Sequence, residues 1–325
     1  MSERNPAATW LVVVAMGSVF FIWGSTYLGI RYAIESMPPF LMAGGRFLIA
    51  GLALIAWQRA LGAPWPTRIH WRSATIIGAL MLLGGNGGVT WAESMDVPSS
   101  LAALMIASVS IWVVILNWLF FRGTRPSGRL AIGLGAGLFG VALLAGPADL
   151  LTGQEPVNPV GTTILLFAAL SWAFGSLYSR QAELPANPLL GTGIEMLMGG
   201  VVLFVVGSAA GEWGQLDLGA VTARSWLAFA YLTVFGSLVA FTAYIWLLRN
   251  VPPARAASYA YVSPVVAMFL GWALANETIT TRMLVAAAII ISSVVVITTY
   301  RDVQKPARSP ELDLSPAASP AQSGK

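Results

Sequence analysis

The chain has 325 residues, of which 57% are hydrophobic and only 10% are charged, against roughly 25% charged residues in soluble domains. This composition excludes an ordinary soluble protein and predicts one that crosses a membrane several times. The absence of cysteine and the single histidine, His70, exclude disulfides, zinc sites and thiol chemistry, and the net charge of +4 is scattered through short loops, which gives no basis for nucleic-acid binding.

Apolar runs of about 20 residues, the length that crosses a bilayer as a helix, recur along the chain. They predict an all-α membrane protein with ten transmembrane helices. The first run lacks the short apolar core and cleavage site of a signal peptide, so we expect it to be retained. The predicted spans are 10–31, 39–61, 73–93, 99–121, 128–145, 160–180, 188–211, 224–249, 253–275 and 283–300.

Lysine and arginine are distributed unequally between the two sides of the predicted membrane. With the N-terminus inside, 14 of the 18 basic residues lie on the inner side, Arg31, Arg224 and Arg282 lie outside, and Arg46 lies within a span. The positive-inside rule therefore predicts that both termini are cytoplasmic, including a short segment at 1–9. Residues 302–325 are rich in Pro, Ser and Ala, which predicts a disordered cytoplasmic tail. Glu93 is expected in an outer loop.

Three pairs of short segments recur in the same order at nearly constant offset. They are 23–27 with 174–178, 44–51 with 193–200, and 97–98 with 251–252, at offsets of 151, 149 and 154 residues. The agreement predicts one five-helix unit used twice, at 10–146 and 159–300. Because each unit has five spans, the second enters the membrane from the opposite side. Inverted repeats of this kind are typical of secondary transporters, whose site lies near the midplane between the halves.

The residues that carry this repeat also resemble a known family. Segments 21–27, 38–51, 171–176 and 259–267 are similar to the EamA family of the drug/metabolite transporter superfamily, especially its YedA-like permeases. The resemblance covers about residues 10 to 300. It implies an inner-membrane exporter with two inverted EamA units around a central cavity, which an aromatic amino-acid exporter of the superfamily lines with aromatic side chains. Ser110 stands where the first unit often has proline, whereas Pro264 is kept, so a break is expected in helix nine without a counterpart in helix four.

Two charges lie inside predicted spans, where an ionised side chain is costly and normally faces a partner or a wet cavity. They are Arg46 and Glu195, whose predicted depths differ by only about 5 to 10 Å. They are interpreted as solute-binding residues, either as a pair or as two facing walls of one cavity. A purely structural ion pair between helices two and seven is the alternative, and Glu195 is also a candidate proton carrier.

Aromatic and small polar residues share helix faces at four-residue steps, which favours a cavity wall that binds an amphipathic solute. The candidate solute-binding residues of this type are Trp23, Tyr27, Asn86, Trp172, Ser176, Tyr259 and Ser263. Lipid-facing or interfacial positions are the alternative for the aromatic residues.

Helix breakers inside spans supply candidate gating or hinge positions. Gly85 and Gly87 flank Asn86 in the third span, and Pro264 lies in the ninth. Glycine weakens a helix and proline removes a backbone donor, so these sites are interpreted as flexible. Close helix packing through small residues is the alternative for the glycines.

These features predict a secondary transporter that exports amino acids, similar small metabolites or drugs across the inner membrane by alternating access, without cofactor or metal. No phosphate-binding loop of the ATPase type is present, so ATP is not the drive by that route. An intramembrane enzyme and a channel are the alternatives, although no histidine or cysteine lies at membrane depth and no selectivity-filter pattern is visible. Gly133 and Gly137 fit helix packing or a dimer face, so the sequence leaves a monomer or a homodimer open.

Overall fold

The computed structural model describes residues 9–95, 97, 102, 105–145, 158–275 and 281–299, and these residues contain helices and no strand. Residues 1–8 of the predicted N-terminal segment and the predicted tail at 302–325 lie outside them. We number the main helices α1 Thr9–Ile34, α2 Pro39–Ala60, α3 Arg68–Glu93, α4 Met105–Phe120, α5 Gly128–Ala145, α6 Pro159–Ser179, α7 Pro188–Ala209, α8 Ala223–Asn250, α9 Tyr259–Ala275 and α10 Thr281–Thr299. A short helix at Pro253–Ala257 precedes α9 and a 3₁₀ turn at Glu212–Gly214 follows α7.

Six of these helices, α1, α2, α3, α6, α7 and α8, are long and apolar enough to cross a membrane. The protein is therefore an all-helical membrane protein, as its composition predicts. The start of α3 differs from the prediction, since the helix begins at Arg68 and not at 73. Thr67 and His70 form a capping box that supports this earlier start, with the Thr67 N–H donating to His70 Nδ1 over 3.2 Å.

Helices α2 and α7 pack through glycines that let their backbones touch. A Cβ added to Gly51 would lie 2.7 Å from the carbonyl oxygen of Gly193, and one added to Gly200 would lie 3.0 Å from that of Gly44. Residue numbers rise along α2 as they fall along α7, so the two helices are antiparallel. Small residues are favoured at such interfaces because association in lipid depends on close packing.

The glycine pair in α5 serves the same purpose against α10. A Cβ on Gly133 would lie 3.1 Å from Val296, and one on Gly137 would lie 2.8 Å from the Ser293 hydroxyl. The small-residue pattern of α5 is thus used within the chain.

Two helices contain wide π-helical turns at corresponding places. The first such segment is Gly78–Gly87 in the middle of α3, and the second is Leu232–Phe241 in the middle of α8. Both are ten residues long, and the second begins 154 residues after the first. Wide turns of this kind are rare in proteins as a whole, but those that occur are often found at functional sites.

Helix nine is interrupted, but not at the expected proline, and helix four has a matching interruption. Pro264 lies inside α9, which continues through it, whereas the chain is interrupted earlier, at Ser258. A matching turn interrupts α4 at Ser108. Each serine hydroxyl donates to the carbonyl oxygen three residues back, Ser108 to Met105 over 2.5 Å and Ser258 to Arg255 over 2.8 Å. Local bonds of this type compete with the helical ladder, so serine and not proline marks both breaks.

A carboxylate from the second half of the chain caps the start of α2. Glu212 is buried, and its two oxygens accept the N–H groups of Phe40 and Leu41 over 3.1 and 2.8 Å. The first N–H groups of a helix have no partner within the helix, and the positive end of the helix dipole favours an anion there. This contact ties the loop after α7 to α2.

Candidate functional site: a cavity between the two halves

A cavity lies within the bundle, with helices from both halves of the chain around it. Its empty volume is about 670 Å³, counting the part that opens to solvent. The lining comes from α1 to α4 in the first half and from α6, α8 and α9 in the second. Aliphatic and small residues make up part of the wall: Thr26, Ile30, Gly85, Val89, Ile106, Val109, Ala168, Gly236 and Ser263.

Aromatic rings form most of the remaining wall, and they contact one another edge to face. The ring of Trp23 lies 5.4 Å from that of Trp172 and 4.7 Å from that of Tyr259, between centroids. Tyr27, Phe47 and Phe241 complete the aromatic lining. Edge-to-face pairs stabilise this arrangement beyond the area they bury.

One fully buried tyrosine packs against the aromatic wall of the cavity. Tyr244 has no exposed surface, and its ring lies 5.0 Å from that of Trp23 and 5.7 Å from that of Trp172. Its hydroxyl is bonded to the Ser176 hydroxyl over 3.0 Å and accepts the indole N–H of Trp172 over 3.3 Å. We call Trp23, Trp172, Tyr244 and Tyr259 the aromatic plug.

A second, polar pocket lies beyond the plug. Its empty volume is about 1560 Å³, counting the part that opens to solvent, and its lining includes Asn117, Ser179, Arg180, Arg249 and Asn250. Along α6, Trp172 lines the cavity whereas Ser179 and Arg180 line this pocket, with Ser176 between them. The plug therefore separates the cavity from the arginine-rich end of the bundle. We call the second pocket the vestibule.

Arg46 supplies the charge of the cavity wall. The side chain is only 2% exposed, and its guanidinium donates from Nη2 to the Asn86 amide oxygen. It also lies 4.5 Å from the ring centroid of Phe47. Glu93 attracts it electrostatically from α3. Glu93 is thus buried and is the last residue of α3. The expectation that it lies in an outer loop was wrong.

The structure does not place Glu195 opposite Arg46. Within the described residues no hydrogen bond or ion pair joins them, and Glu195 is absent from the cavity lining. It is fully buried on α7, where its charged neighbour is Arg249. The sequence predicts similar membrane depths for the two residues, but the helices turn their side chains in different directions.

The other candidate residues also divide between the cavity and its surroundings. Of the nine proposed solute-binding residues, seven line the cavity: Trp23, Tyr27, Arg46, Asn86, Trp172, Tyr259 and Ser263. Ser176 lies behind it, fully buried against Tyr244. Among the proposed hinges only Gly85 lines the cavity, whereas Gly87 packs against Leu203 and Pro264 lies within α9.

Close packing explains the glycines of α3. A Cβ at Gly85 would lie 2.6 Å from the indole of Trp172, and one at Gly87 would lie 2.8 Å from Leu203. Gly87 keeps ordinary right-handed helical backbone angles. The glycines therefore admit large neighbours into the wide turns of α3.

Side chains from neighbouring helices bond to carbonyl groups of both π-helical segments. Ser171 on α6 donates to the Leu80 carbonyl oxygen over 2.7 Å, and the Trp23 indole on α1 donates to that of Gly236 over 3.2 Å. Backbone carbonyls at membrane depth need such partners because lipid offers none.

Sequence reasoning missed Tyr244 and Glu93. Tyr244 lies late in a span with several other aromatic residues, and nothing in the local pattern distinguishes it. Glu93 stands at the end of a span, where an acidic residue is usually solvated. An acidic residue at the end of one span is a candidate partner for an arginine inside another span. Giving that pattern more weight would have identified Glu93.

Comparison with known proteins settles the family. The model of the EamA-like transporter family matches the chain twice, over residues 9–146 and 159–299. The chain belongs to the EamA-like transporter family.

Named relatives agree with this EamA assignment. Over 267 residues the chain is 43% identical to the uncharacterized inner membrane transporter YedA of Escherichia coli K12, covering 82% of this chain and 83% of the relative. It is 23% identical over 293 residues to a probable amino-acid metabolite efflux pump of the same strain, covering 86% and 90%. A crystal structure shares the fold with a TM-score of 0.69 at 19% identity, covering 91% of this chain and 98% of that chain.

The EamA protein described here is therefore a membrane transporter, with a lipid bilayer and a small solute as its partners.

Proposed function

We propose that the protein exports amino acids or similar small metabolites by alternating access. The observation that carries this proposal is the cavity, which residues of both family-matched segments line. In this proposal the aromatic plug closes the cavity at one end. A carrier needs a site that opens to one side at a time. The solute is bound by the seven candidate residues that line the cavity. Ser176 holds the plug in place, and Glu195 is a buried charge near the vestibule.

We also propose that the two halves form inverted five-helix repeats, at 10–146 and 159–300, that cross the membrane ten times. The contacts between α2 and α7 support this. The sequence repeat equates Gly44 with Gly193 and Gly51 with Gly200, and in the structure Gly44 contacts Gly200 while Gly51 contacts Gly193. Such reciprocal contacts are what a two-fold axis produces. The paired π-helical segments and the paired serine breaks add to this support.

The moving parts of the cycle are proposed to be the plug and the π-helical segments, with Gly85, Gly87 and Pro264 as candidate hinges. The plug joins α1, α6, α8 and α9, so opening it requires these helices to separate. With both termini cytoplasmic, the vestibule faces the cytoplasm and the described conformation is closed on that side.

Thiol labelling tests this arrangement directly because the chain has no native cysteine. We expect Asn250→Cys, at an exposed position in the vestibule, to react with a membrane-impermeant reagent from the cytoplasmic side. Thr26→Cys, in the cavity, should react from the outer side, and a transported solute should change its rate. Reaction of Thr26→Cys from both sides at once, at one rate, would indicate a pore and contradict the proposal.

Flux supplies the second test. Counterflow in proteoliposomes against an amino-acid panel should saturate with solute concentration, and Trp172→Ala should alter it. Ohmic currents without saturation would favour a channel, and product formation without flux would favour an enzyme.

A further inference from the structure

The cavity wall carries one formal charge. Among the described lining residues, Arg46 is the only Asp, Glu, Lys, Arg or His. Lysine, the other candidate cation, occurs nowhere in the membrane part of the sequence. The electrostatic character of the site is therefore set by one buried guanidinium.

Most of the hydrogen-bonding capacity of Arg46 is unused. A guanidinium has five N–H donors in a planar fork, and the hydrogen bonds of the described residues use one of them, to Asn86. Its Nε is buried and has no hydrogen-bond partner among these residues. An acceptor that reached the guanidinium would find these donors unoccupied.

Asn86 extends the same set of donors. Its oxygen accepts from Arg46, which fixes the amide so that its nitrogen is the free end, and no hydrogen bond within the described part of the chain uses that nitrogen. Asn86 lies on the cavity wall beside Arg46. Together the two side chains present hydrogen-bond donors to the cavity, and neither of them carries a negative charge.

Glu93 lies near Arg46 without occupying its donors. Its carboxylate attracts both Arg46 and Arg31, yet both of its oxygens are buried without a hydrogen-bond partner in the described residues. It also lies outside the cavity lining. The attraction acts through space, so the donors of Arg46 stay available to a ligand.

We infer that the cavity binds a solute with a single carboxylate, held by Arg46 and Asn86, and an apolar or aromatic body against Trp23, Trp172 and Phe241. This inference rests on the proposed transport function and narrows its substrate class. A carboxylate matches the fork of a guanidinium, and the charge-assisted bonds gain strength where water is excluded. One guanidinium balances one negative charge, which favours a monoanion over a dianionic phosphate.

The same wall disfavours cations. Aromatic rings attract a cation by themselves, but here a cationic group would share the cavity with Arg46 and find no acidic residue on the wall. Solutes of equal shape should therefore bind in the order anion, neutral, cation.

Binding of three matched probes tests the inference: 3-phenylpropanoate, 3-phenylpropanamide and 3-phenylpropylamine. Radiolabelled 3-phenylpropanoate is bound to the purified full-length protein, and the other two compete for it. We expect the carboxylate to bind about 10- to 100-fold more tightly than the amide, since hydrogen bonds to charged groups are worth that much. The amine should bind most weakly. Equal binding of carboxylate and amide would overturn the inference.

Two variants attribute the preference to its residues. Arg46→Gln removes the charge, and Asn86→Asp keeps the contact with Arg46 while placing a competing carboxylate against it. Both variants should abolish the preference for the carboxylate. Asn86→Asp keeps the inference testable if Arg46→Gln does not fold. Glu195→Gln removes a buried carboxylate outside the cavity and should leave the preference unchanged. A preference that survives Asn86→Asp would contradict the assignment.

Counterflow of the same probes separates the two proposals. Saturable transport without preference for the carboxylate would overturn the inference and leave the transporter proposal standing. Charge-dependent binding without any flux would support the binding site and count against alternating access.

Discussion

The backbones of Gly44 in α2 and Gly200 in α7 are in reciprocal contact. A Cβ added to either glycine would lie close to the carbonyl oxygen of the other, at 3.2 Å for Gly44 and 3.0 Å for Gly200. Seven residues along α2, Gly51 meets α7 in the same way. This antiparallel seam brings the two halves of the chain together beside the cavity, so its packing should govern the stability of the whole bundle.

Gly51→Ala should destabilise the protein. The new Cβ would lie 2.5 Å from the Leu197 backbone nitrogen, so the helices must move apart, and overpacking of this kind costs about 1 to 3 kcal/mol. The measurement is the thermal unfolding midpoint of the purified protein in detergent. Gly135→Ala is the matched control, because Gly135 has no neighbour within 4 Å, and alanine is the better helix former. Equal midpoints for the two variants would contradict the packing argument.

Glu93→Gln should strengthen binding of carboxylate solutes. Glu93 attracts Arg46, so its removal leaves more of the positive field of Arg46 for a ligand. The measurement is the dissociation constant of 3-phenylpropanoate, which should fall, whereas that of the neutral amide should change little. Glu195→Gln removes a carboxylate whose charged neighbour is Arg249 and serves as the control. A weaker affinity for the carboxylate in Glu93→Gln would show that Glu93 supports the ligand and does not compete with it.

Glu212→Gln should loosen the start of α2. The carboxylate accepts two N–H groups at the positive end of the helix, and loss of a helix cap costs about 0.5 to 2 kcal/mol. Amide hydrogen exchange at Phe40 and Leu41 should become faster, and the unfolding midpoint should fall. Glu35→Gln breaks the exposed ion pair with Arg224, which is worth about 1 kcal/mol or less. A larger effect at Glu35 than at Glu212 would refute the capping role.

Trp23→Phe should weaken the π-helical segment of α8. The substitution keeps an aromatic ring in the plug but removes the indole N–H that donates to the Gly236 carbonyl oxygen. A neutral hydrogen bond contributes about 0.5 to 1.5 kcal/mol, so amide exchange across 232–241 should be faster by about 2- to 12-fold. Trp213→Phe also removes an indole donor, to Ser208 at an exposed site, and should leave 232–241 unchanged. Unaltered exchange in Trp23→Phe would mean that the bond does not hold the segment.

Helix positions were predictable because hydropathy is a local property. Each predicted span overlaps one helix of the structure. Helix α3 begins five residues before its predicted start, at Arg68, where Thr67 and His70 form a capping box. The π-helical segments were not predictable, because the glycines of α3 permit wide turns without requiring them. Leu232–Phe241 in α8 contains a single glycine and adopts the same form.

The candidate site was predictable in its residue types and less so in its pairings. Trp23 and Trp172 stood out because aromatic and small residues together are unusual in a span, and both line the cavity. The serine breaks at 108 and 258 were missed because proline is the stronger breaker in sequence. Their effect depends on hydroxyl groups that bond to carbonyls one turn back.

The amino-acid sequence alone determined that this protein is a helical membrane protein of two similar halves, because the cost of exposing polar groups to lipid acts on each segment separately. Tertiary structure decided that Arg46 contacts Asn86 and lies near Glu93, whereas Glu195 lies near Arg249. Which buried charges meet depends on how each helix is rotated against its neighbours. That rotation is set by the packing of glycines and aromatic rings along the whole bundle, and no single segment contains it.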